Sequence, residues 1–266
     1  MRKFLFLVLA LLFFTPSLLM SRRLESLGEY PSAVQQDSTA NVKFFSNFSP
    51  VHLVAPVALF GAGVIGNSID AVKEFDFGFS DSGSSKVHKG FVFEDVTQYV
   101  PAAGYYMLRL GGVKSAYNYG DATVMLALSY AINAVATKAI KEIADVQRPN
   151  GADNNSFPSG HSSISFMGAE FLRLQYKDTT PWIGIAGYAV ATGTAVARVA
   201  HNEHWVTDVM AGAGVGILSS RVAYWIYPWV QEKIVHKIFK PKKDIALMGL
   251  PYCSGKGAGI SLAMSF

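Results

Sequence analysis

Long apolar runs with few charged residues constrain this fold more than any other feature of the sequence. They cover residues 51–65, 122–140, 182–197 and 205–229. An α-helix needs about 20 apolar residues to cross the hydrocarbon core of a bilayer. Only 16% of the residues are charged, whereas about a quarter are charged in an ordinary soluble domain. The pattern predicts an all-α bundle of six helices, which we expect to be inserted in a membrane.

The six predicted helices are joined by polar, turn-rich segments. They cover about residues 51–65, 95–113, 122–140, 159–176, 181–197 and 205–229. Asp121 is the expected N-cap of the third helix. Small residues over 211–216 predict close helix approach to the sixth helix. The second and fourth helices are short for a membrane span, and Glu170, Arg173 and Arg221 lie in or near apolar segments. A soluble apolar bundle in the periplasm is therefore the alternative.

The two ends of the chain differ from the helical domain, residues 51–230. Basic residues precede an apolar run at the N-terminus, which is typical of a signal peptide or membrane anchor over residues 1–21. A polar arm covers residues 22–50. Residues 231–266 form a basic segment and a tail, in which a glycine-rich turn and the alternating sequence ISLAMSF predict a short β-hairpin.

Charge and cysteine content exclude two broad interpretations. The net charge is only +4 and its residues are scattered, so nucleic acid is not an expected partner. The one cysteine, Cys253, cannot form an internal disulfide.

Three short stretches concentrate lysine, arginine and histidine: 141–149 (KEIADVQRP), 158–161 (PSGH) and 198–208 (RVAHNEHWVTD). Fixed cations indicate an oxyanion ligand, and histidines beside them indicate that the ligand reacts. The stretches fall at the end of the third helix, the start of the fourth, the end of the fifth and the start of the sixth. In an up-down bundle these four ends lie on one side, so we expect a single site.

The first two stretches supply groups that can hold a phosphate. Lys141 and Arg148 are seven residues apart, which places them about 10 Å apart along one helix face if Pro149 ends the helix. Simple complementation of the helix dipole is the alternative. Ser159 and Gly160 fall where the fourth helix begins, and its unpaired N–H groups and dipole favour an anion. The alternative for Ser159 is an ordinary N-cap.

The third stretch supplies a candidate nucleophile. His204 and Asp208 are four residues apart and share a helix face. Asp208 can accept the Nδ1–H of His204 and leave Nε2 free to attack, although a surface ion pair is the alternative. Arg198 can donate two parallel hydrogen bonds to phosphate oxygens. We expect His201 and Glu203 to be solvated turn residues.

The pattern K-x6-RP, PSGH and R-x5-H-x3-D resembles the type 2 phosphatidic acid phosphatase (PAP2) superfamily, which includes bacterial acid phosphatases and vanadium haloperoxidases. The motifs span residues 141–208, and the helices around them extend the resemblance over roughly residues 50–230. The third motif usually begins Ser-Arg, whereas Ala197 precedes Arg198 here. This departure removes one hydroxyl contact to phosphate but none of the charged groups.

The resemblance implies a mechanism and a role for each residue. His204 would attack phosphorus in line and form a phosphohistidine, with Asp208 holding its ring. His161 would protonate the leaving oxygen, and water would then release phosphate. The transferred phosphoryl group would be held by Lys141, Arg148, Arg198, Ser159 and Gly160. No metal or other cofactor is expected, because the fixed cations replace magnesium.

The sequence also predicts the orientation and the class of substrate. Five lysines follow the sixth helix, so the positive-inside rule places that end in the cytoplasm and the site at the periplasmic face of a bacterial inner membrane. We expect a lipid phosphate there: lipid A or polyprenyl pyrophosphate first, then phosphatidylglycerol phosphate or phosphatidate. The alternatives are a soluble periplasmic non-specific acid phosphatase, a vanadate-dependent haloperoxidase and a non-catalytic anion-binding membrane protein.

Overall fold

The computed structural model describes most of the helical domain and part of the tail. It covers residues 49–69, 72 and 93–235, and the backbone of residues 246–254 and 257–265. The predicted signal or anchor segment and nearly all of the polar arm lie outside the described residues.

The described chain has seven helices and one pair of strands. The helices are α1 (Val51–Asn67), α2 (Glu94–Thr97), α3 (Val100–Leu110), α4 (Tyr119–Ala144), α5 (Gly160–Tyr176), α6 (Pro181–Ala200) and α7 (Val206–Val230), and a π-helical turn (Gln231–Val235) follows α7. Strands β1 (Ala246–Ser254) and β2 (Gly257–Ser265) are antiparallel, with Ala246 opposite Ser265. The body from residue 93 to residue 235 is helical, as predicted, but the described residues hold seven helices rather than six.

The extra helix arises because the second predicted helix, 95–113, is divided into α2 and α3. Pro101 lies in the first turn of α3. Proline has no N–H to continue the hydrogen-bond ladder from α2, but it fits well in the first turn of a new helix. Thr194 donates a hydrogen bond to Thr97 over 3.0 Å, which ties α2 separately to α6.

Helix α4 begins and ends at residues that the sequence did not predict. Its N-cap is Asn118 rather than Asp121, because the Asn118 side chain accepts the N–H of Asp121 over 2.8 Å. The helix ends before Asp145, whose φ of 47° is left-handed and typical of a helix C-cap. Arg148 therefore lies in a loop beyond α4, and Pro149 does not end the helix.

Helix α7 lies at the centre of the bundle and contacts α5, α1 and α4. Its glycines allow the backbones to approach closely. A Cβ atom at Gly216 would lie 2.1 Å from the carbonyl oxygen of Ser163 on α5, and one at Gly214 would lie 2.6 Å from that of Pro56 on α1. The predicted close approach along the small residues of this helix is confirmed.

The main core lies between α3, α4, α5 and α7. Tyr105 stands at its centre, where its ring contacts those of Phe171 and Tyr176. The buried members of this core are Ala102, Tyr105, Ala122, Met125, Leu126, Met167, Phe171, Leu172, Tyr176 and Tyr227.

Several helices present apolar side chains on the outside of the bundle. Val135 and Ile143 on α4 are 71% and 84% exposed, and Trp182 on α6 is 73% exposed. Among the described residues, three segments are long and apolar enough to cross a membrane: Tyr119–Ala144, Pro181–Ala200 and Val206–Lys233. An apolar exterior of this kind is what a lipid-facing bundle requires.

The ends of four elements meet on one side of the bundle, which we call the motif end: the C-termini of α4 and α6 and the N-termini of α5 and α7. The N–H of Ser159, just before α5, donates to the carbonyl oxygen of Asp208 on α7 over 3.0 Å. The opposite side, called the far end, contains the start of α1 and the ends of α5 and α7. The helix order therefore brings the three motif stretches together.

Candidate active site

His204 lies at the motif end between α6 and α7, and only 2% of its surface is exposed. Its two ring nitrogens have different neighbours. Nε2 lies 3.3 Å from Nη1 of Arg148. Nδ1 lies 3.4 Å from the Ser156 hydroxyl and 3.6 Å from Oδ2 of Asp208. The Nδ1 edge of the ring thus lies beside Ser156 and Asp208, and the Nε2 edge lies beside the guanidinium of Arg148.

Asp208 is held in place from two directions. Its Oδ2 accepts a hydrogen bond from the Ser156 hydroxyl and another, of 2.9 Å, from the N–H of Trp205. The 3.6 Å gap from Oδ2 to Nδ1 of His204 is too long for the direct hydrogen bond that the i,i+4 spacing predicted. Ser156 contacts both side chains instead, so the orientation of His204 depends on Ser156 as well as on Asp208.

The loop after α4 positions Arg148 beside His204. This loop is closed by backbone hydrogen bonds from Arg148 to Asp153 (3.0 Å) and from Ser156 to Val146 (2.9 Å). The guanidinium of Arg148 donates through Nε to Asp153 over 2.8 Å and through Nη1 to the Glu203 carbonyl over 3.0 Å. The prediction that Lys141 and Arg148 share one helix face is therefore wrong, because the helix ends between them.

Glu203 links the two arginines of the site. Its Oε2 lies 3.1 Å from Nη1 of Arg148 and 3.3 Å from Nη2 of Arg198. The side chain is only 15% exposed, so the prediction of a solvated turn residue is wrong. Asn202 precedes it with a left-handed φ of 56°, which reverses the chain after α6. His201 is also not a simple surface residue, since its Nδ1 contacts the buried carboxylate of Glu94.

His161 lies in the first turn of α5, where its Nε2 is 2.9 Å from Oδ1 of Asp95 on α2. Burial and the nearby charge of Arg198 lower the pKa of His161 below its usual 6.5, and the hydrogen bond to Asp95 opposes this shift. The charge of His161 therefore depends on a carboxylate from a separate helix.

The N-terminus of α5 offers two free N–H groups. Ser159 is the N-cap, and its hydroxyl accepts the N–H of Ser162 over 3.4 Å. The N–H of Ser159 itself is used by the Asp208 carbonyl, so it cannot also bind phosphate as predicted. Within the described chain, the N–H groups of Gly160 and His161 have no acceptor. No heavy atom lies within 4 Å of a Cβ placed on Gly160, which leaves space for a ligand.

The cations of the site act together on His204. Lys141 lies in the last turn of α4, where its Nζ donates to the carbonyl oxygen of Asn155. Burial and then the charges of Arg148, Arg198 and Lys141 lower the pKa of His204 well below 6.5. The imidazole is therefore neutral at pH 7, which is the form that can act as a nucleophile. In the described residues, no three His, Cys, Asp or Glu side chains form a group that could hold a metal ion.

The sequence that forms this site matches a known family model. The family model described as the PAP2 superfamily matches residues 122–232. This region contains the three motif stretches, most of α4 and the whole of α5, α6 and α7. Residues 122–232 are therefore similar to the PAP2 superfamily.

Several relatives match part of this chain. Lipid A 1-phosphatase of Porphyromonas gingivalis is 35% identical over 161 residues, which are 60% of this chain and 35% of that protein. Bacitracin transport permease protein BcrC of Bacillus licheniformis is 33% identical over 75 residues, which are 28% of this chain and 35% of that protein. A putative phosphatidate phosphatase of Drosophila melanogaster is 36% identical over 76 residues, or 25% of this chain and 20% of that protein. The chain spans at most 35% of the length of these relatives.

Two solved structures are also similar to the chain. The crystal structure of Aquifex aeolicus LpxE has 18% sequence identity and a TM-score of 0.42, covering 57% of this chain and 93% of that one. The crystal structure of the transmembrane PAP2 type phosphatidylglycerolphosphate phosphatase of Bacillus subtilis has 22% sequence identity and a TM-score of 0.43. The match covers 68% of this chain and 97% of that one.

The PAP2 motif residues thus meet at one end of the bundle, with two additions that sequence reasoning missed. Ser156 lies in a loop rich in turn residues, and Glu203 lies in a turn where the sequence predicts solvation. Neither Ser156 nor Glu203 has a helical spacing from the residues that it contacts. Only its position beside a motif residue could therefore have indicated a role for either one.

Proposed function

We propose that this chain is a phosphatase that hydrolyses a lipid phosphate or pyrophosphate through a phosphohistidine intermediate. One observation carries the proposal. His204 is buried, with Nδ1 beside Ser156 and Asp208, while Nε2 lies 3.3 Å from a guanidinium nitrogen of Arg148. A phosphate bound to that arginine would lie directly in front of the attacking nitrogen.

The reaction would proceed in two displacements. Nε2 of His204 attacks phosphorus in line while the bond to the leaving oxygen breaks, and His161 supplies the proton to that oxygen. A water molecule then attacks the phosphohistidine and gives its proton to His161, which restores the free histidine and releases phosphate. Ser156 and Asp208 hold the ring and stabilise its positive charge during both steps.

The transferred phosphoryl group would be stabilised by fixed positive groups. These are the side chains of Lys141, Arg148 and Arg198, with the N–H groups of Gly160 and His161 at the start of α5. Three cations and a helix N-terminus supply the charge that magnesium supplies in many phosphoryl-transfer enzymes. We therefore propose that turnover does not require a metal ion.

The surroundings of the site favour a lipid substrate. A cleft of about 240 Å³ runs between α4 and α5, lined by Tyr130, Asn133, Ala134, Thr137, Lys138, Lys141, Gly160 and Ile164. Since Lys141 and Gly160 also belong to the phosphate site, a headgroup there would place its apolar part along the cleft.

Among lipid phosphates we rank lipid A and polyprenyl pyrophosphate first, followed by phosphatidylglycerol phosphate and phosphatidate. The similarity to the lipid A 1-phosphatase of Porphyromonas gingivalis over 161 residues supports this order. We propose a bacterial inner membrane location with the motif end facing the periplasm. The lysine-rich sequence after α7, which would stay in the cytoplasm, supports that orientation.

A substrate panel tests the proposed function. The full chain, purified in detergent with a chelator present, would be offered the four lipid phosphates and a small soluble phosphate ester, and phosphate release would be measured. We expect release from at least one lipid at a kcat/KM well above that for the soluble ester. Release from the soluble ester alone would contradict the lipid assignment and favour a non-specific acid phosphatase. Loss of all activity with the chelator would contradict a metal-independent reaction.

A further inference from the structure

A second cationic cluster lies at the far end of the bundle, away from the motif residues. A cavity of about 230 Å³ is lined there by His52, Arg173, Leu174, Lys177, Arg221, Tyr224 and Trp225. These residues come from α1, α5 and α7, except for Lys177, which directly follows α5. Along α5, Arg173 is twelve residues from His161, which corresponds to about 18 Å. We call this cavity the far-end pocket.

A buried carboxylate fixes the two arginines of the far-end pocket. Glu170 has no exposed surface, and it accepts hydrogen bonds of 2.7 Å from Nε and Nη2 of Arg173 and from Nε of Arg221. The hydroxyl of Tyr188 on α6 donates a fourth hydrogen bond to the same carboxylate. A carboxylate has about four lone-pair positions, so Glu170 has no remaining capacity to accept hydrogen bonds.

The charges of this cluster do not balance. One carboxylate faces two guanidinium groups, and Lys177 adds a further cation at the rim of the pocket. Arg221 uses only its Nε to bind Glu170, and both of its Nη atoms have no hydrogen-bond partner within the part of the chain that the structure describes. The Arg221 side chain is only 12% exposed. One carboxylate cannot neutralise two guanidinium groups, and an excess positive charge with so little access to water is costly, so the cluster favours an anion in the pocket.

We propose that the far-end pocket binds a phosphate group. The spare N–H groups of the two guanidiniums match phosphate oxygens, and Glu170 holds both arginines in a fixed orientation before the ligand arrives. A cavity of about 230 Å³ has room for a phosphate and the beginning of its ester, since a water occupies roughly 30 Å³ in the liquid. This site is separate from the motif end and does not depend on the proposed reaction.

The phosphate could come from an anionic phospholipid or from free phosphate. The far end is where α7 leads into the lysine-rich sequence of residues 237–243. In an inserted bundle this end would lie at a membrane surface, where basic residues attract anionic headgroups. The experiment therefore has one arm for each source.

The test measures binding in a protein whose catalytic phosphate site is weakened. The full chain with Arg148→Gln and Arg198→Gln is the background, so that the motif end contributes less to the phosphate binding that is measured. One arm titrates inorganic phosphate in detergent by calorimetry. The other arm compares vesicles of phosphatidylcholine alone with vesicles that also contain phosphatidylglycerol with brominated chains. Binding is followed as quenching of tryptophan fluorescence by the bromine atoms, since Trp225 lines the pocket.

Three further substitutions locate the binding. Lys177→Gln should weaken binding by about threefold, because an exposed cation contributes little. Arg221→Gln should weaken it by tenfold or more, because its charged hydrogen bonds are shielded from water. Lys114→Gln is the matched control, since Lys114 is exposed and does not line the pocket. Arg221→Gln removes one hydrogen-bond donor from the buried carboxylate of Glu170, which can prevent folding. If the Arg221→Gln variant does not fold, Lys177→Gln provides the result.

Each outcome decides the proposal. Binding in either arm that weakens with Lys177→Gln or Arg221→Gln, but not with Lys114→Gln, supports it and identifies the source of the phosphate. Absence of binding in both arms overturns it. Equal weakening by Lys114→Gln also overturns it, since the effect would then reflect general surface charge.

Discussion

At the residue scale, Glu203 connects the cations that face His204. Its carboxylate contacts Nη1 of Arg148 at 3.1 Å and Nη2 of Arg198 at 3.3 Å. Glu203→Gln keeps the size of the side chain but removes the charge that fixes both guanidiniums. We expect kcat/KM for phosphate release to fall by about ten- to a hundredfold, because small misplacements of catalytic groups have effects of that order.

Glu142→Gln is the control for this prediction, since Glu142 is exposed and pairs with Lys138 on the surface of α4. The melting temperature of both variants should stay close to that of the wild type, and Glu203→Asp should recover part of the activity. Wild-type kinetics in Glu203→Gln would show that the arginines need no common anchor.

The pH dependence of the reaction reports on His161. Its pKa is lowered below 6.5 by burial and by Arg198, and the contact with Asp95 opposes the shift. A general acid works only while it holds its proton, so kcat/KM should fall as the pH rises through a value below 6.5. Asp95→Asn removes the opposing contact, lowers the pKa further and should move this alkaline limb to lower pH.

The measurement is the pH profile of kcat/KM for the wild type, Asp95→Asn and Asp178→Asn. Asp178 is an exposed residue at the far end and serves as the control. An alkaline limb that stays in place in Asp95→Asn would mean that Asp95 does not act on the catalytic acid.

Sequence reasoning at this scale found the cations and histidines but not the contacts that orient them. The order of the helices could predict that Lys141, His161, Arg198 and His204 meet, because all four lie at or next to helix ends on one side of the bundle. The position of Arg148 depends on the loop after α4. The contact of Ser156 with His204 spans 48 residues of sequence, and that of Arg148 with Glu203 spans 55. Such contacts depend on the geometry of the loops, including the left-handed conformation of Asn202. The helical pattern of apolar residues does not predict that geometry.

At the scale of elements, the glycines of α7 determine how closely α5 can approach. A Cβ at Gly216 would lie 2.1 Å from the Ser163 carbonyl and 2.9 Å from the Met167 nitrogen. Both are backbone atoms and cannot move independently of α5. Gly216→Ala should therefore lower the free energy of unfolding by about 1–3 kcal/mol or more, as overpacking does.

Gly61→Ala provides the matched control on α1, since no heavy atom lies within 4 Å of a Cβ placed at that position. It should be neutral or stabilise the protein by up to about 1 kcal/mol, because alanine favours a helix. Thermal unfolding in detergent compares the two variants. Equal stability of Gly216→Ala and Gly61→Ala would contradict the observed packing of α5 on α7.

The helices themselves follow largely from the apolar runs in the sequence. Four of the seven could be placed to within a few residues, namely α1, α5, α6 and α7. The second predicted helix was wrong because it is divided near Pro101. Proline interrupts the hydrogen-bond ladder of a helix locally, and the apolar pattern does not show such a break. The ends of α4 depend on a side-chain cap from Asn118 and a left-handed Asp145, and these are features of conformation rather than of apolar period.

At the scale of the whole molecule, the exposed apolar faces of α4 and α6 support insertion in a membrane. We expect the chain to stay with the membrane fraction after carbonate extraction, because about 20 apolar residues per span resist transfer to water. Release of the chain into the soluble fraction would favour the alternative of a soluble bundle.

The orientation makes a separate prediction. In a Cys253→Ser background, Asn154→Cys marks the motif end and Asp178→Cys marks the far end, both at exposed positions. With intact inner-membrane spheroplasts, an impermeant maleimide should label Asn154→Cys and spare Asp178→Cys until the membrane is opened. The reverse pattern would place the site in the cytoplasm.

The central claim is that His204 carries the phosphoryl group during turnover. The most direct measurement is rapid quenching of the enzyme with a substrate labelled in its phosphate, followed by mapping of the bound label. We predict a phosphohistidine at His204, and in His204→Ala we predict a folded protein without label and with essentially no phosphate release. Label at another residue, or turnover by His204→Ala at the wild-type rate, would contradict the account.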